Sequence, residues 1–354
     1  MRDPQKILII RFSSIGDIVL ASPLVRAVRA KYTAAQIDFL VKSEFAELVR
    51  FSHHLSTVIE LQTADRRELK DLRKRIRHER YDVILDIHNS LRSRYLRIFS
   101  GAKAVEVVNK RVVERFFLVN SKLNFYDRII PVAERYLETA RRLGITDDGK
   151  GLELFIPDET MFAVSAALSK FRLERYDTVI GFAPAAKHFT KRWPQERFVE
   201  LGVLYAKERK AKILVFGGKE DVEYCGDIAQ MINTASGSGV AEIFAGRFSL
   251  LETAAALDFC DLVICNDTGV MHLAAARQRK IVAVFGSTVR EFGFFPYGTE
   301  SIVMESKGLS CRPCSHIGLE QCPKGHFKCM KNVLVDDVMN AARQLVNNAE
   351  QHTS

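Results

Sequence analysis

Short β-rich runs alternate with helical patterns along nearly the whole chain. Candidate strands cover residues 6–12, 36–42, 56–61, 81–88 and 103–108 in the first half, and 178–183, 212–217, 241–245, 262–266 and 281–286 in the second. Helical stretches fill the gaps, most clearly at 17–31, 66–80, 132–143, 159–172 and 334–349. Several of the strand segments, such as Lys6-Ile7-Leu8-Ile9-Ile10 and Leu262-Val263-Ile264, are continuously apolar, as strands covered on both faces must be. Strands that alternate with helices pair in parallel, so the fold class is α/β, and the scheme occurs twice. That pattern predicts two Rossmann-like domains, residues 1–158 and 159–354, divided near Ile156-Pro157-Asp158. The last helical stretch is free to cap either domain, including the N-terminal one. A cleft between the domains is the expected ligand site.

With 354 residues, 47% of them hydrophobic, each half can bury a core of its own. No apolar run approaches the roughly 20 residues that cross a bilayer, and Met1-Arg2-Asp3-Pro4-Gln5-Lys6 leads straight into a strand, so a cytoplasmic protein is expected. Residues 1–150 hold 29 Lys and Arg against 19 Asp and Glu, whereas the remainder is balanced, at 23 against 24. A field of that sign attracts a polyanion: nucleic acid, an acidic membrane surface, or a phosphorylated and carboxylated glycolipid. The cations of 66–80 are interspersed with Glu68, Asp71 and Glu79 and read equally as a solvated helix face. Arg92, Arg94 and Arg97 form a tighter group just after a strand, where open α/β sheets bind ligands.

Five strand-to-helix corners carry the candidate chemistry. After the first strand, Ser13-Ser14-Ile15-Gly16-Asp17 sets a carboxylate at the start of a helix, which keeps it ionised as a general base requires. A charge–dipole pair without catalysis fits the same residues. The segment Lys187-His188-Phe189-Thr190-Lys191-Arg192-Trp193-Pro194 puts cations above the second sheet, able to neutralise a diphosphate, or simply packs a Trp-Pro plug. Glu220, after Gly217-Gly218, is placed like an acid that receives ribose hydroxyls. In Asn266-Asp267-Thr268-Gly269, a capped helix opens with unpaired N–H groups that can face a phosphate, and His272 follows as a phosphate or sugar contact or a packed helical side chain. Gly286-Ser287-Thr288 adds further donors.

In order and spacing, Ser13-Ser14-Ile15-Gly16-Asp17, Lys191-Arg192-Trp193-Pro194, Asn266-Asp267-Thr268-Gly269-x-x-His272 and Gly286-Ser287-Thr288 resemble the ADP-heptose:lipopolysaccharide heptosyltransferases, glycosyltransferase family 9. The resemblance runs from residue 6 to about 340. It implies a GT-B fold of two facing Rossmann-like domains, the acceptor on the N-terminal one and the nucleotide sugar on the C-terminal one. It also implies inverting transfer of heptose from ADP-heptose to the inner core of lipopolysaccharide, with no metal or other cofactor required for catalysis. Asp17 is then the base and Lys191 the cation that stabilises departing ADP. Donor contacts fall to Ser14, Gly16, Lys187, Glu220, Asp267, Thr268, Gly269 and His272. Arg92, Arg94 and Arg97 become clamps for the acidic glycolipid acceptor, which implies peripheral contact with the cytoplasmic face of the inner membrane.

Cys311, Cys314, Cys322 and Cys329 lie within 19 residues, with His316 and His326 nearby. Their spacing permits a structural zinc or iron–sulfur site, but reduced or partly disulfide-linked thiols are favoured, and the resemblance implies a structural loop of the C-terminal domain. Two other functions fit less well. Another GT-B enzyme would use a different nucleotide sugar, and a nucleic-acid-binding protein would use the basic half in a strongly salt-dependent way. No nucleic-acid motif supports the latter.

Overall fold

The computed structural model describes residues 3–350, with side chains to residue 346. The chain divides into two compact units. One comprises residues up to Val112 together with Ile130–Phe155, the other Val113–Ile129 and everything from Ile156.

The first unit is built on a five-stranded parallel sheet: β1 Lys6–Ile10, β2 Gln36–Lys42, β3 Thr57–Leu61, β4 Val83–Asp86 and β5 Ala104–Val107, in the order β3-β2-β1-β4-β5. Leu8, Ile10, Leu40, Ile59 and Ile84 of its strands bury one face together with Leu72 and Ile76 of the helix Arg66–Glu79. The expected helix over 17–31 is two helices, Ile15–Val19 and Ser22–Lys31. Pro23 explains the break, since it lacks an N–H and is tolerated only in a first helical turn. Chain direction carries β1, β2 and β3 outward on one side, and β4 and β5 on the other. The strand order therefore reverses between β1 and β4, which is where such sheets open a crevice at their carboxyl ends.

The second unit has a six-stranded parallel sheet: β6 Thr178–Ala183, β7 Ala211–Val215, β8 Ala241–Ile243, β9 Leu262–Asn266, β10 Lys280–Phe285 and β11 Ser301–Glu305, ordered β11-β10-β9-β6-β7-β8. Its reversal lies between β6 and β9. Trp193, Phe198 and Ile213 are buried here against Val338 and Ala342 of the helix Val335–Glu350, so this last helix packs on the second sheet. The strand β11 has no counterpart in the sequence pattern. It is a half-buried edge strand whose five side chains alternate neither cleanly in nor out. No helix among the described residues is long and apolar enough to cross a membrane.

Candidate active site

In the first unit the corner after β1 sits at the point of reversal. Asp17 is the third residue of the helix Ile15–Val19, and its carboxylate turns back on the corner that precedes it. Oδ2 accepts hydrogen bonds from the Ser14 N–H and hydroxyl, each at 3.2 Å, and lies 2.7 Å from the Arg11 guanidinium. Oδ1 accepts from the Tyr136 hydroxyl at 3.0 Å. Burial by itself would raise the pKa of this carboxyl. Arg11 and the hydrogen bonds from Ser14 and Tyr136 outweigh it and hold Asp17 below the ordinary carboxylate range. The sequence suggested helix-end placement as the ionising influence; the structure adds a guanidinium at contact distance. Arg11 is anchored in turn by donating to the Ile87 carbonyl at 2.8 Å.

The loop after β4 flanks that corner. Asp86 is fully buried, and its Oδ1 accepts from the N–H groups of His88 and Asn89 at 3.1 and 2.7 Å, which fixes the turn into the helix Leu91–Arg97. The three arginines predicted to act together separate here. Arg97 Nε lies 3.0 Å from the buried Asp86 Oδ2, whereas Arg92 and Arg94 are exposed. The imidazole of His88 packs on Phe12, and burial together with Arg11 pushes its pKa down to about 3. It is therefore neutral at physiological pH and does not compete with Arg11 for the Asp17 carboxylate.

In the second unit, four of the predicted corners fall on neighbouring strands β10, β9, β6 and β7, all at carboxyl ends. Lys191 Nζ lies 2.7 Å from Asp267 Oδ2, and the Thr288 hydroxyl donates to the same oxygen at 2.8 Å. Asp267 is buried, so the pair is a low-dielectric contact between the loops after β6, β9 and β10. Thr268 caps the helix Gly269–Ala276, its hydroxyl accepting from the Val270 N–H at 3.2 Å. The N–H groups of that first turn thus open beside Asp267. His272 is buried in the same helix, edge-on to Phe294, which favours the packed reading. Lys187 and Glu220 are exposed on the loops after β6 and β7.

Asn266 holds the arrangement together. It is fully buried; its Oδ1 accepts from the Trp193 N–H at 3.0 Å and its Nδ2 donates to the Pro184 carbonyl at 2.6 Å. One side chain on β9 therefore grips both ends of the loop that carries Lys191. The Trp193 indole is buried and donates to the Val333 carbonyl at 3.0 Å, so the plug and the ion pair belong to one structure.

The cysteine-rich segment braces these loops. Leu319 exchanges hydrogen bonds with Thr190, the Cys314 N–H donates to the Ser287 carbonyl, and Arg312 donates to the Thr288 carbonyl at 2.8 Å. All seven cysteines are free thiols, and Cys311 Sγ lies 3.9 Å from His326 Nε2. Among the described residues no group of three or more His, Cys, Asp or Glu side chains is arranged to hold a metal ion.

Residues 69–324 match the model of glycosyltransferase family 9 (heptosyltransferase). The chain belongs to that family. It is 25% identical to lipooligosaccharide heptosyltransferase 2 of Campylobacter jejuni over 339 residues, covering 95% of this chain and 96% of that one. Lipopolysaccharide heptosyltransferase 2 of Escherichia coli is 27% identical over 301 residues, 81% of this chain and 84% of the relative. A family 9 glycosyltransferase from Veillonella parvula superposes with a TM-score of 0.78 at 22% identity, covering 97% of each chain. The structure of E. coli ADP-heptose lps heptosyltransferase II superposes at 0.69 and 22%, covering 98% of this chain and 99% of that one. These likenesses establish the GT-B fold of the family. Arg11 and Tyr136, which hold Asp17, were not singled out from the sequence. Arg11 immediately follows β1 with no motif that marks it, and Tyr136 lies 119 residues beyond Asp17.

Proposed function

We propose that this family 9 glycosyltransferase transfers heptose from ADP-heptose to the inner core of lipopolysaccharide, with inversion at the anomeric carbon. The observation that carries the reading is the Lys191–Asp267–Thr288 cluster beside a helix N-terminus at the reversal point of the second sheet, within the family match. Relatives named as lipopolysaccharide heptosyltransferases across most of their length support the donor and acceptor. The acceptor belongs to the first unit and the ADP-sugar to the second.

Asp17 takes the proton of the acceptor hydroxyl as its oxygen attacks the anomeric carbon, and the bond to the diphosphate oxygen breaks with its electron pair leaving on ADP. Arg11, Ser14 and Tyr136 keep the carboxylate ionised and aimed. The charge that builds on the leaving phosphate meets Lys191 and the N–H groups around Thr268 and Gly269. Asp267 holds Lys191 through Oδ2 and offers Oδ1 to a sugar hydroxyl, while Glu220 receives the ribose. Exposed Arg92 and Arg94 take acidic groups of the core, and Arg97 acts through Asp86 on the loop that carries them. No metal or other cofactor enters this scheme. The test is a transfer assay of ADP-heptose against a set of truncated lipopolysaccharide acceptors. Turnover with one of them is expected, and turnover with another nucleotide sugar but not ADP-heptose would overturn the assignment.

A further inference from the structure

The helix Leu91–Arg97 is amphipathic in the wrong sense for a helix that faces only water. It buries Ser93 and Leu96 and leaves Leu91 and Tyr95, spaced i, i+4, exposed, with exposed Ile98 at its C-cap. Leu91 is 84% exposed, and Phe99, just past the helix end, is 80% exposed. Isolated exposed apolar residues are ordinary, but these four fall on one short helix and the residues that end it.

Its charge is equally one-sided. From Ile87 to Val105 there is no Asp or Glu, while Arg92, Arg94, Arg97 and Lys103 lie within the same stretch. The neighbouring helix Arg66–Glu79 packs beside it and adds exposed Arg66, Arg67, Lys70, Lys74, Arg75 and Arg77 against one exposed acid, Asp71, which pairs with Lys74, and its Arg73 guanidinium lies 4.7 Å over the Tyr95 ring. Apolar side chains that project from a field of cations match a bilayer surface with anionic headgroups. The aliphatic and phenyl groups enter the acyl boundary while Arg and Lys stay at the phosphates. Leu91, Ile98 and Phe99 have no corresponding use on a nucleic-acid backbone, which rewards the cations alone.

We propose that Leu91 and Tyr95, with Ile98 and Phe99, form a docking edge for the anionic leaflet of a membrane. The proposal rests on the reading of the acceptor as a membrane glycolipid. It is tested without either substrate, so a failure of the chemistry and a failure of docking are separate results.

The experiment is co-sedimentation of the full chain with vesicles of phosphatidylcholine, and of phosphatidylcholine with roughly one lipid in three replaced by phosphatidylglycerol. The wild type is expected on the anionic vesicles and not on the neutral ones. The triple variant Leu91→Gln, Ile98→Ser, Phe99→Ser is expected to bind about tenfold more weakly or worse, and to turn over a deacylated, water-soluble acceptor as fast as the wild type. Should the triple variant melt early, Phe99→Ser alone reads the same surface, with an expected loss of about threefold or more. Equal binding to both vesicle types, no binding at all, or undiminished binding by the variants overturns the proposal. So does tight binding to a homopolymeric RNA that displaces the vesicles and is untouched by the triple substitution.

Discussion

At Asp17, Arg11 and the hydrogen bonds from Ser14 and Tyr136 hold the carboxyl below the ordinary carboxylate range, so the group proposed as the base is ionised near neutrality. Asp17→Asn keeps the size and most hydrogen bonds of the site. Its kcat is expected to fall by roughly 10²- to 10⁴-fold while ADP affinity, read by calorimetry, stays within about twofold. Tyr136→Phe removes one donor to Oδ1, so the Asp17 pKa rises toward its ordinary value. The acidic limb of the pH profile of kcat/KM should then move to higher pH by up to about one unit. A limb that moves the other way, or does not move, would remove Tyr136 from the positioning of the base. The same depressed pKa makes Asp17 a stabilising group above its unfolded value, and that contribution is lost only as the pH falls through the lower folded value. The sequence exposed Asp17 and Lys191 because each stands beside a local signal, a strand-to-helix corner or a Trp-Pro pair. It concealed Arg11, which is six residues from Asp17 but anchored by the distant Ile87 carbonyl, Tyr136, whose partner is 119 residues away, and Asp86, whose burial no short window records.

The same contrast holds for elements. Strands at the centres of both sheets were visible as apolar runs, and β2, β6 and β9 have the predicted bounds. Edge strand β11 was not singled out: its apolar run, Ile302-Val303-Met304, is short, lies between Ser301 and Glu305, and is only partly buried. The helix Leu91–Arg97 spans barely two turns, and in the sequence its arginines masked the apolar side chains between them. Loop anchoring is likewise a property of elements. Asn266→Ala would leave the Trp193 N–H and the Pro184 carbonyl without a buried partner, each costing about 1–3 kcal/mol. We expect a lowered melting temperature together with a raised KM for the donor, since the loop of Lys191 loses its clasp. Gly286 sits where β10 meets that loop. A Cβ there would approach the Thr190 carbonyl to 2.8 Å and Met330 to 2.7 Å, so Gly286→Ala should destabilise by about 1–3 kcal/mol and weaken ADP binding, as denaturant titration and calorimetry would report.

For the whole molecule, two units with separate sheets and separate cores invite separate responses. ADP should stabilise the second unit selectively: at a concentration near one hundred times Kd the gain is about 2.7 kcal/mol. Hydrogen exchange should show it as slowed exchange in the loops after β6, β9 and β10, with the corner of Asp17 unchanged. Slowed exchange confined to the first unit would reverse the assignment of donor and acceptor. The alternating pattern made two parallel-sheet units legible, because burying both faces of a sheet demands it throughout the sequence. It gave no sign that residues 113–129 group with the second unit, since that depends on contacts and not on composition. The brace formed by the cysteine-rich segment has a practical consequence. Cys314, partly exposed, donates its own N–H to the Ser287 carbonyl next to Thr288, so its alkylation rate is expected to follow how firmly the Asp267 loops are set. ADP that tightens those loops should slow the labelling of Cys314, and labelling Cys314 first should loosen ADP in return.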